Sequence, residues 1–324
     1  MMFPANRKLS LTLSLILSMT AVIGLVTLYR TASVTGDEAK FQPDLNRGIS
    51  EPAQVEQTQL EPNQSETAVA VSDQSNIFQD DFSIKKTIEE VGGMQNSLDS
   101  AWWVNSGAYL YVENGVARTI RGSLEKGSKW QKEFKDYNSD STDGGYHPQN
   151  IFRLVTKSIW KNFTQQSYFR VRGDNLSKSD SRMESNGLLL FNRYLNGDNL
   201  YYTGIRVDGA AVIKKKIKGK YFTMAYKQVY PGQYNRKKNP NLLPKNTWIG
   251  VKSEVTQDSS GQVVIRLFLD KKRDGNWVLT LETKDNGKTF GGKALNEAGY
   301  AGIRTDFMDV EFDDYRIEEM SLTK

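Results

Sequence analysis

The chain has no cysteine and one histidine, His147, in 324 residues. Without Cys there is no disulfide, no thiolate nucleophile, no Cys-ligated zinc and no acylated cysteine. With one His, a zinc site built on paired histidines is excluded, and a Ser–His–Asp triad has only His147 to use. What stays open is oxygen chemistry: carboxylates, Tyr or Lys as acid or base, and hard cations such as calcium. Charged residues make up 25% and aromatics 11%, which places the chain among folded proteins rather than disordered ones.

Charge and hydropathy divide the chain into three parts. In residues 1–30, Arg7 and Lys8 precede an uncharged, mostly apolar run over residues 9–29, closed by Arg30. Such a run reaches across roughly 30 Å of hydrocarbon as a helix. It predicts a signal anchor; the small residues Thr31-Ala32-Ser33 leave a cleaved signal peptide as the alternative. Either way the basic flank stays in the cytoplasm and the remainder lies outside, membrane-anchored in the cell envelope or secreted. Residues 31–76 hold eight acids against Lys40 and Arg47, much Gln, Ser and Thr, and one aromatic, Phe41. That composition cannot bury enough apolar surface to offset its ordering entropy, so it predicts a disordered acidic linker. Residues 77–324 contain every tryptophan and are more basic than the whole chain's net +5.

This third part reads as short β runs broken by Gly, Asn and Asp. "AYLYVENGVARTI" sets Asn114-Gly115 between two runs, a hairpin signal. Asn196-Gly197-Asp198, Asp208-Gly209, Gly219 and Pro231-Gly232 punctuate the centre. About a dozen strands are expected with little helix, residues 83–91 alone having weak helical character. The expected fold is all-β, a sandwich or barrel.

"NIFQDDFS", "AWWVNSGAYLYVENG" and the closing "GYAGIRTDFMDVEFDDYRI" together resemble concanavalin A-like jelly rolls, the superfamily of lectins, laminin-G-like modules, laminarinase-type glucanases and several polysaccharide lyases. The resemblance covers about residues 77–320. It implies a β-sandwich of two antiparallel sheets, first and last strands close together, and a glycan groove on the concave sheet. It also implies a structural calcium near the joined termini, for which Asp80, Asp81, Asp313 and Asp314 are the candidate ligands.

Candidate chemistry is spread along the chain. Asp309, Glu311 and Asp313 alternate, which places three carboxylates on one strand face. This is similar to the alternating acids of laminarinase-type glucanases, although the order of Asp and Glu is swapped and the motif sits on the terminal strand. The alginate-lyase pattern is departed from: Arg182-Met183-Glu184 lacks the second Arg, and no Gln-x-His follows. In "AVIKKKIKGKYF", Lys214, Lys216 and Lys218 fall on one face by alternation. Near them lie Arg193, Arg206, Tyr202 and Tyr226. Tyr rings can stack on the CH face of a sugar, Arg can bind its hydroxyl edges, and Lys can neutralise a carboxylate or sulfate. Arg193, Tyr202, Arg206, Lys216 and Tyr226 are therefore the expected glycan-binding residues, on an anionic polysaccharide. A lyase or glycosidase using the same groove is the alternative, with His147, Arg206 and Tyr226 as catalytic candidates; a structural or adhesive envelope domain is the third reading. The expected location argues against nucleic acid as a partner.

Overall fold

A computed structural model describes residues 76–321. The expected membrane segment and linker, and the domain boundaries drawn through them, lie outside the described residues. No helix among the described residues is long and apolar enough to cross a membrane.

The strands are β1 (Ile77–Asp80), β2 (Lys86–Glu89), β3 (Trp102–Ser106), β4 (Tyr109–Glu113) and β5 (Val116–Arg118). A helix, α1 (Lys129–Asn138), follows. Then come β6 (Ile151–Trp160), β7 (Phe163–Asp174), β8 (Gly187–Asn196), β9 (Asn199–Arg206), β10 (Ala210–Ile217) and β11 (Lys220–Gln228). The last are β12 (Trp248–Gln257), β13 (Val263–Asp270), β14 (Val278–Asp285), β15 (Gly299–Asp306) and β16 (Met308–Glu319). The turns fall where Gly and Asn permit a positive φ. Between β4 and β5, Asn114 and Gly115 have φ of 55° and 72°, the backbone of a tight hairpin turn.

These strands form two antiparallel sheets, the sandwich that the resemblance implies. A nine-stranded sheet runs β14-β13-β12-β7-β16-β5-β4-β2, with β1 also paired to β16. A seven-stranded sheet runs β11-β10-β9-β8-β15-β6-β3. First and last strands are joined: Ile77 lies opposite Glu318 and Asp80 opposite Tyr315. Alternate residues of both sheets fill the space between them. Leu190, Tyr201, Ile213 and Ile303 from one meet Phe169, Ile249, Leu267 and Phe312 from the other, all fully buried. One buried polar group bridges the two sheets. The Asn192 side chain accepts from Gln165 Nε2 at 2.9 Å and from Ser253 Oγ at 2.7 Å, which links the sheets without an unsatisfied group.

Lys215, the middle lysine of β10, is a fully buried charge. Its ammonium meets Asp285 of β14 at 2.8 Å, both side chains at 0% exposure. It also donates to the carbonyls of Gly292 and Lys293, while Tyr201 donates to the same carboxylate at 2.7 Å. Full pairing is what makes a buried ammonium tolerable.

The weak helical character expected over residues 83–91 is not borne out: residues 86–89 are a strand, and the α-helix lies at residues 129–138 instead. Tertiary contact overrides the weak local preference at β2, which pairs with β4 from Lys86–Val112 to Glu89–Tyr109. The helix has an N-cap in Ser128, whose side chain accepts from Gln131 N. Trp130 and Phe134, one turn apart, bury against Ala108 and Ile120. Beside this helix Glu90 accepts from Ala108 N at 2.8 Å and from the Tyr137 hydroxyl. Burial pushes its carboxyl up to about 7 despite those hydrogen bonds.

Two predictions follow from these buried groups. Lys215→Met strands the Asp285 carboxylate and costs about 3–5 kcal/mol, whereas Lys215→Met with Asp285→Leu recovers most of that loss, measured by urea unfolding. For Glu90 the folded pKa lies above the ordinary 4.5, so its contribution is fully present below pH 4.5 and is lost as pH rises through 7. Glu90→Gln should therefore flatten the fall in melting temperature across that window.

Candidate functional site

The seven-stranded sheet has a second face, turned away from the sandwich core. The residues that alternate with the core set form a separate cluster there: Trp103, Val155, Leu189, Phe191, Tyr194, Leu200, Tyr202 and Val212, with Tyr221 and Tyr300 against it. Ladder pairing then sets cations among these rings. Lys214 lies opposite Tyr202, and Lys216 lies opposite both Leu200 and Tyr221. Arg304 lies opposite Leu189 on one side and Arg153 on the other. Directly opposed residues of an antiparallel pair project to the same face, so three rows of side chains converge.

Arg304 is the hub. Its Nε donates to Asp306 at 2.8 Å, and one terminal nitrogen donates to the Tyr202 hydroxyl at 3.1 Å and the Tyr221 hydroxyl at 3.4 Å. The two tyrosine rings stack with centroids 6.0 Å apart, and the Lys216 ammonium sits 5.1 Å from the Tyr221 ring centre. Burial pushes the Tyr221 phenol up, but the charges of Arg304 and Lys216 and its hydrogen bonds outweigh this and hold it below the ordinary range. Tyr202 goes the other way: burial, and then Tyr221 beside it, raise it. The pair thus gives up its first proton from Tyr221.

Of the residues expected to bind a glycan, Tyr202, Arg206, Lys216 and Tyr226 share this face. Tyr202 is 4% exposed and Tyr226 49%, so the first is floor and the second is rim. The Arg206 guanidinium pairs with Asp208 at 2.9 Å and lies over the Tyr226 ring at 5.4 Å. Lys216 donates to Gly197 O at 2.8 Å. In the long loop between β11 and β12, Arg236 donates to the carbonyls of Lys178 and Ser179, tying it to the loop that precedes β8.

Arg193 is not on the face. The β8–β9 register shifts between Asn192 and Asn196, and Arg193 has a φ of 48°. The extra residue of this bulge turns inward, and Tyr194 takes the outward place. The Arg193 guanidinium is spent on Lys161 O, Leu295 O and Asn162 Oδ1, and burial lowers its pKa to about 10. His147 is also elsewhere, in the loop before β6, with Nε2 3.2 Å from Ser123 Oγ. Burial lowers its pKa against the pull of Asp143 and Asp309. His147, Arg206 and Tyr226 therefore form no catalytic constellation.

The acids on the nine-stranded sheet are occupied as well. Glu311 is surrounded by Arg121, Arg170 and Arg172, and Asp309 accepts from Gly122 N at 2.8 Å. Arg273 holds both Asp313, at 2.5 Å, and Asp314, at 2.8 Å. Asp80 accepts from Trp102 Nε1 at 2.8 Å and Asp81 caps Ser83 N at 3.0 Å. Among the described residues no three His, Asp or Glu side chains gather closely enough to hold a metal ion. The cations beside the calcium candidates are Lys86 and Arg273.

Arg153 and Arg304 went unmarked in the sequence: they come from strands distant in it, and only the β8-β15-β6 pairing brings them in.

No known protein family matches the chain, and no curated protein does. Among solved structures it is similar to the carbohydrate-binding module CBM66 from Bacillus subtilis, with a TM-score of 0.37 and 13% identity over 52% of this chain and 82% of that one. It is similar to the GH43 protein BlXynB from Bacillus licheniformis, with a TM-score of 0.40 and 12% identity over 75% of this chain and 39% of that one. The exoplasmic/lumenal domain of VIP36, in a form bound to Ca2+ and Man3GlcNAc, gives a TM-score of 0.34 and 9% identity over 69% of this chain and 87% of that one. These are distant likenesses, and the site is read from its own residues.

The geometry predicts an order of ionisation. In an ultraviolet titration of the folded protein, Tyr221→Phe should remove a tyrosine that ionises below the ordinary range, while Tyr202→Phe should leave that component in place.

Proposed function

We propose that this protein recognises an anionic polysaccharide on the outer face of the seven-stranded sheet, held outside the cytoplasm by residues 9–29. The observation that supports this most is the convergence of Arg153, Arg206, Lys214, Lys216 and Arg304 with Tyr202, Tyr221 and Tyr226 on one side of one sheet. Aromatic rings match the CH face of a sugar, and cations match a carboxylate or sulfate on its edge. A cationic face with aromatic floor and rim favours a charged glycan over a neutral one.

A second reading has one specific observation behind it. The Tyr221 phenol is depressed and hydrogen-bonded to a guanidinium, which suits a base that removes a proton beside a sugar carboxylate, so that the face would act as a lyase.

One experiment separates the readings. Polygalacturonate, with laminarin as the neutral control, is titrated against the protein at low and high salt. Arg206→Ala and Tyr226→Ala, each with an unchanged melting temperature, should weaken polygalacturonate binding about tenfold, about 1.4 kcal/mol. Full affinity in the double variant would remove the site assignment. Release of an unsaturated, ultraviolet-absorbing product that Tyr221→Phe abolishes, with binding kept, would establish the lyase; its absence leaves a binding protein.

A further inference from the structure

The outer face of the nine-stranded sheet carries a row of opposed residues across five strands. Tyr111 of β4 stands opposite Arg118 of β5, and Arg118 opposite Glu311 of β16. Glu311 then stands opposite Arg170 of β7, and Arg170 opposite Trp248 of β12. Opposed residues of an antiparallel pair share a face, so the row crosses four strand spacings, about 19 Å. A guanidinium lies over the ring at each end: Arg118 is 4.3 Å from the Tyr111 centroid, and Arg170 is 4.3 Å from that of Trp248.

Here one carboxylate is shared among more cations than it can neutralise. Buried Glu311 takes Arg121 and, at 2.6 Å, Arg170 Nε, while Arg172 Nε stays 3.7 Å away. Arg118 has no carboxylate within ion-pair distance among the described residues; its contact is the Tyr111 ring. The bordering acids are engaged elsewhere. Asp309 accepts from Gly122 N and Gln149 Nε2, Glu113 pairs with Lys85, and Asp174 pairs with Lys245. Stacking on a ring uses none of a guanidinium's in-plane N–H groups, which stay free to grip a planar oxyanion in a two-point fork.

We propose that Arg118, Arg121 and Arg172 form a second subsite, for the carboxylate of a uronic-acid polymer, and that the domain bridges two such chains, one on each outer face of the sandwich. Glu311 is the internal pattern for the ligand, a carboxylate already held among these arginines. The two outer faces point away from each other, so a short fragment occupies one face at a time and a long polymer is cross-linked. The bridging rests on the reading given under Proposed function; the subsite does not.

The test uses the full-length protein in detergent micelles. Phenylglyoxal, which modifies accessible guanidinium groups, is applied with and without trigalacturonate, and the modified arginines are read by peptide mass mapping. At about ten times its Kd, trigalacturonate should slow modification of Arg172 and Arg121 about tenfold. Arg316, paired with Glu318 on the same sheet and 39% exposed against 37% for Arg172, should react unchanged. Equal modification of Arg172 with and without trigalacturonate overturns the subsite, and this arm needs no variant to fold. In titration calorimetry the unaltered protein should take two trigalacturonates per chain, and Arg118→Ala with Arg172→Ala one. Polygalacturonate should scatter light with the unaltered protein at intermediate ratios and clear at an excess of either; the double variant should bind and stay clear. Removing two exposed lysines elsewhere, Lys126→Ala with Lys132→Ala, should leave the scattering in place. Scattering that persists in the double arginine variant overturns the bridging. Protection of Arg172 with a single trigalacturonate per chain, untouched by Arg206→Ala with Tyr226→Ala, would sink the seven-stranded face and leave the subsite standing.

Discussion

The run Lys214-Lys215-Lys216 can sit in a strand in only one register, because one of the three must point inward. Lys215 does, and Asp285 with two carbonyls meets it there. A slip of one residue in β10 would drive Lys214 and Lys216 into the core and leave Asp285 without its cation. The buried pair thus fixes which lysines face outward. It also ties β10 of one sheet to β14 of the other, and its carbonyl partners hold the loop between β14 and β15. The outer cationic face is therefore a consequence of an inner ion pair.

From that register the rest of the face follows. Lys214 and Lys216 are carried against Tyr202 and Tyr221, and Arg304 reaches both phenols from β15. Arg304 keeps its charge in this crowded place: burial opposes it, and Asp306 and the two tyrosines outweigh the burial. The same guanidinium sets the two tyrosines apart in acidity. Close packing makes the floor rigid, and the exposed Tyr226 stands above it. On the nine-stranded sheet, Arg121, Arg170 and Arg172 surround Glu311, and Arg273 holds Asp313 and Asp314. Trp277 packs on that sheet across Gly250, where any Cβ would come within 2.7 Å of the indole.

Much of the architecture was legible because it is local. Asn114-Gly115, Asp208-Gly209 and Gly219 marked hairpins through backbone geometry alone. Two-residue periodicity was enough to place Tyr202 and Arg206 on one face of β9, and Lys214 and Lys216 on one face of β10. It failed at Arg193, since a single extra residue in β8 reverses the parity of everything beyond it, and nothing local in "FNRYLN" announces the bulge. It failed also for Arg153 and Arg304, whose nearness depends on strand order. The helix at residues 129–138 was hidden by its many charged positions; Ser128 with Trp130 and Phe134 one turn apart was the available signal.

The pairing of β1 with β16 has a mechanical side. The first described residue, Asn76, bonds to Glu319 at the end of the last strand, and β1 is held beside that strand by a ladder running from Ile77–Glu318 to Asp80–Tyr315. Tension entering at Asn76 along the axis of β1 acts on that ladder in shear. All of its rungs are loaded together, and Phe78 and Phe82, packed on Trp102, must slide past the indole before the strand can leave. A domain pulled from its own first strand is in this way clamped by its last.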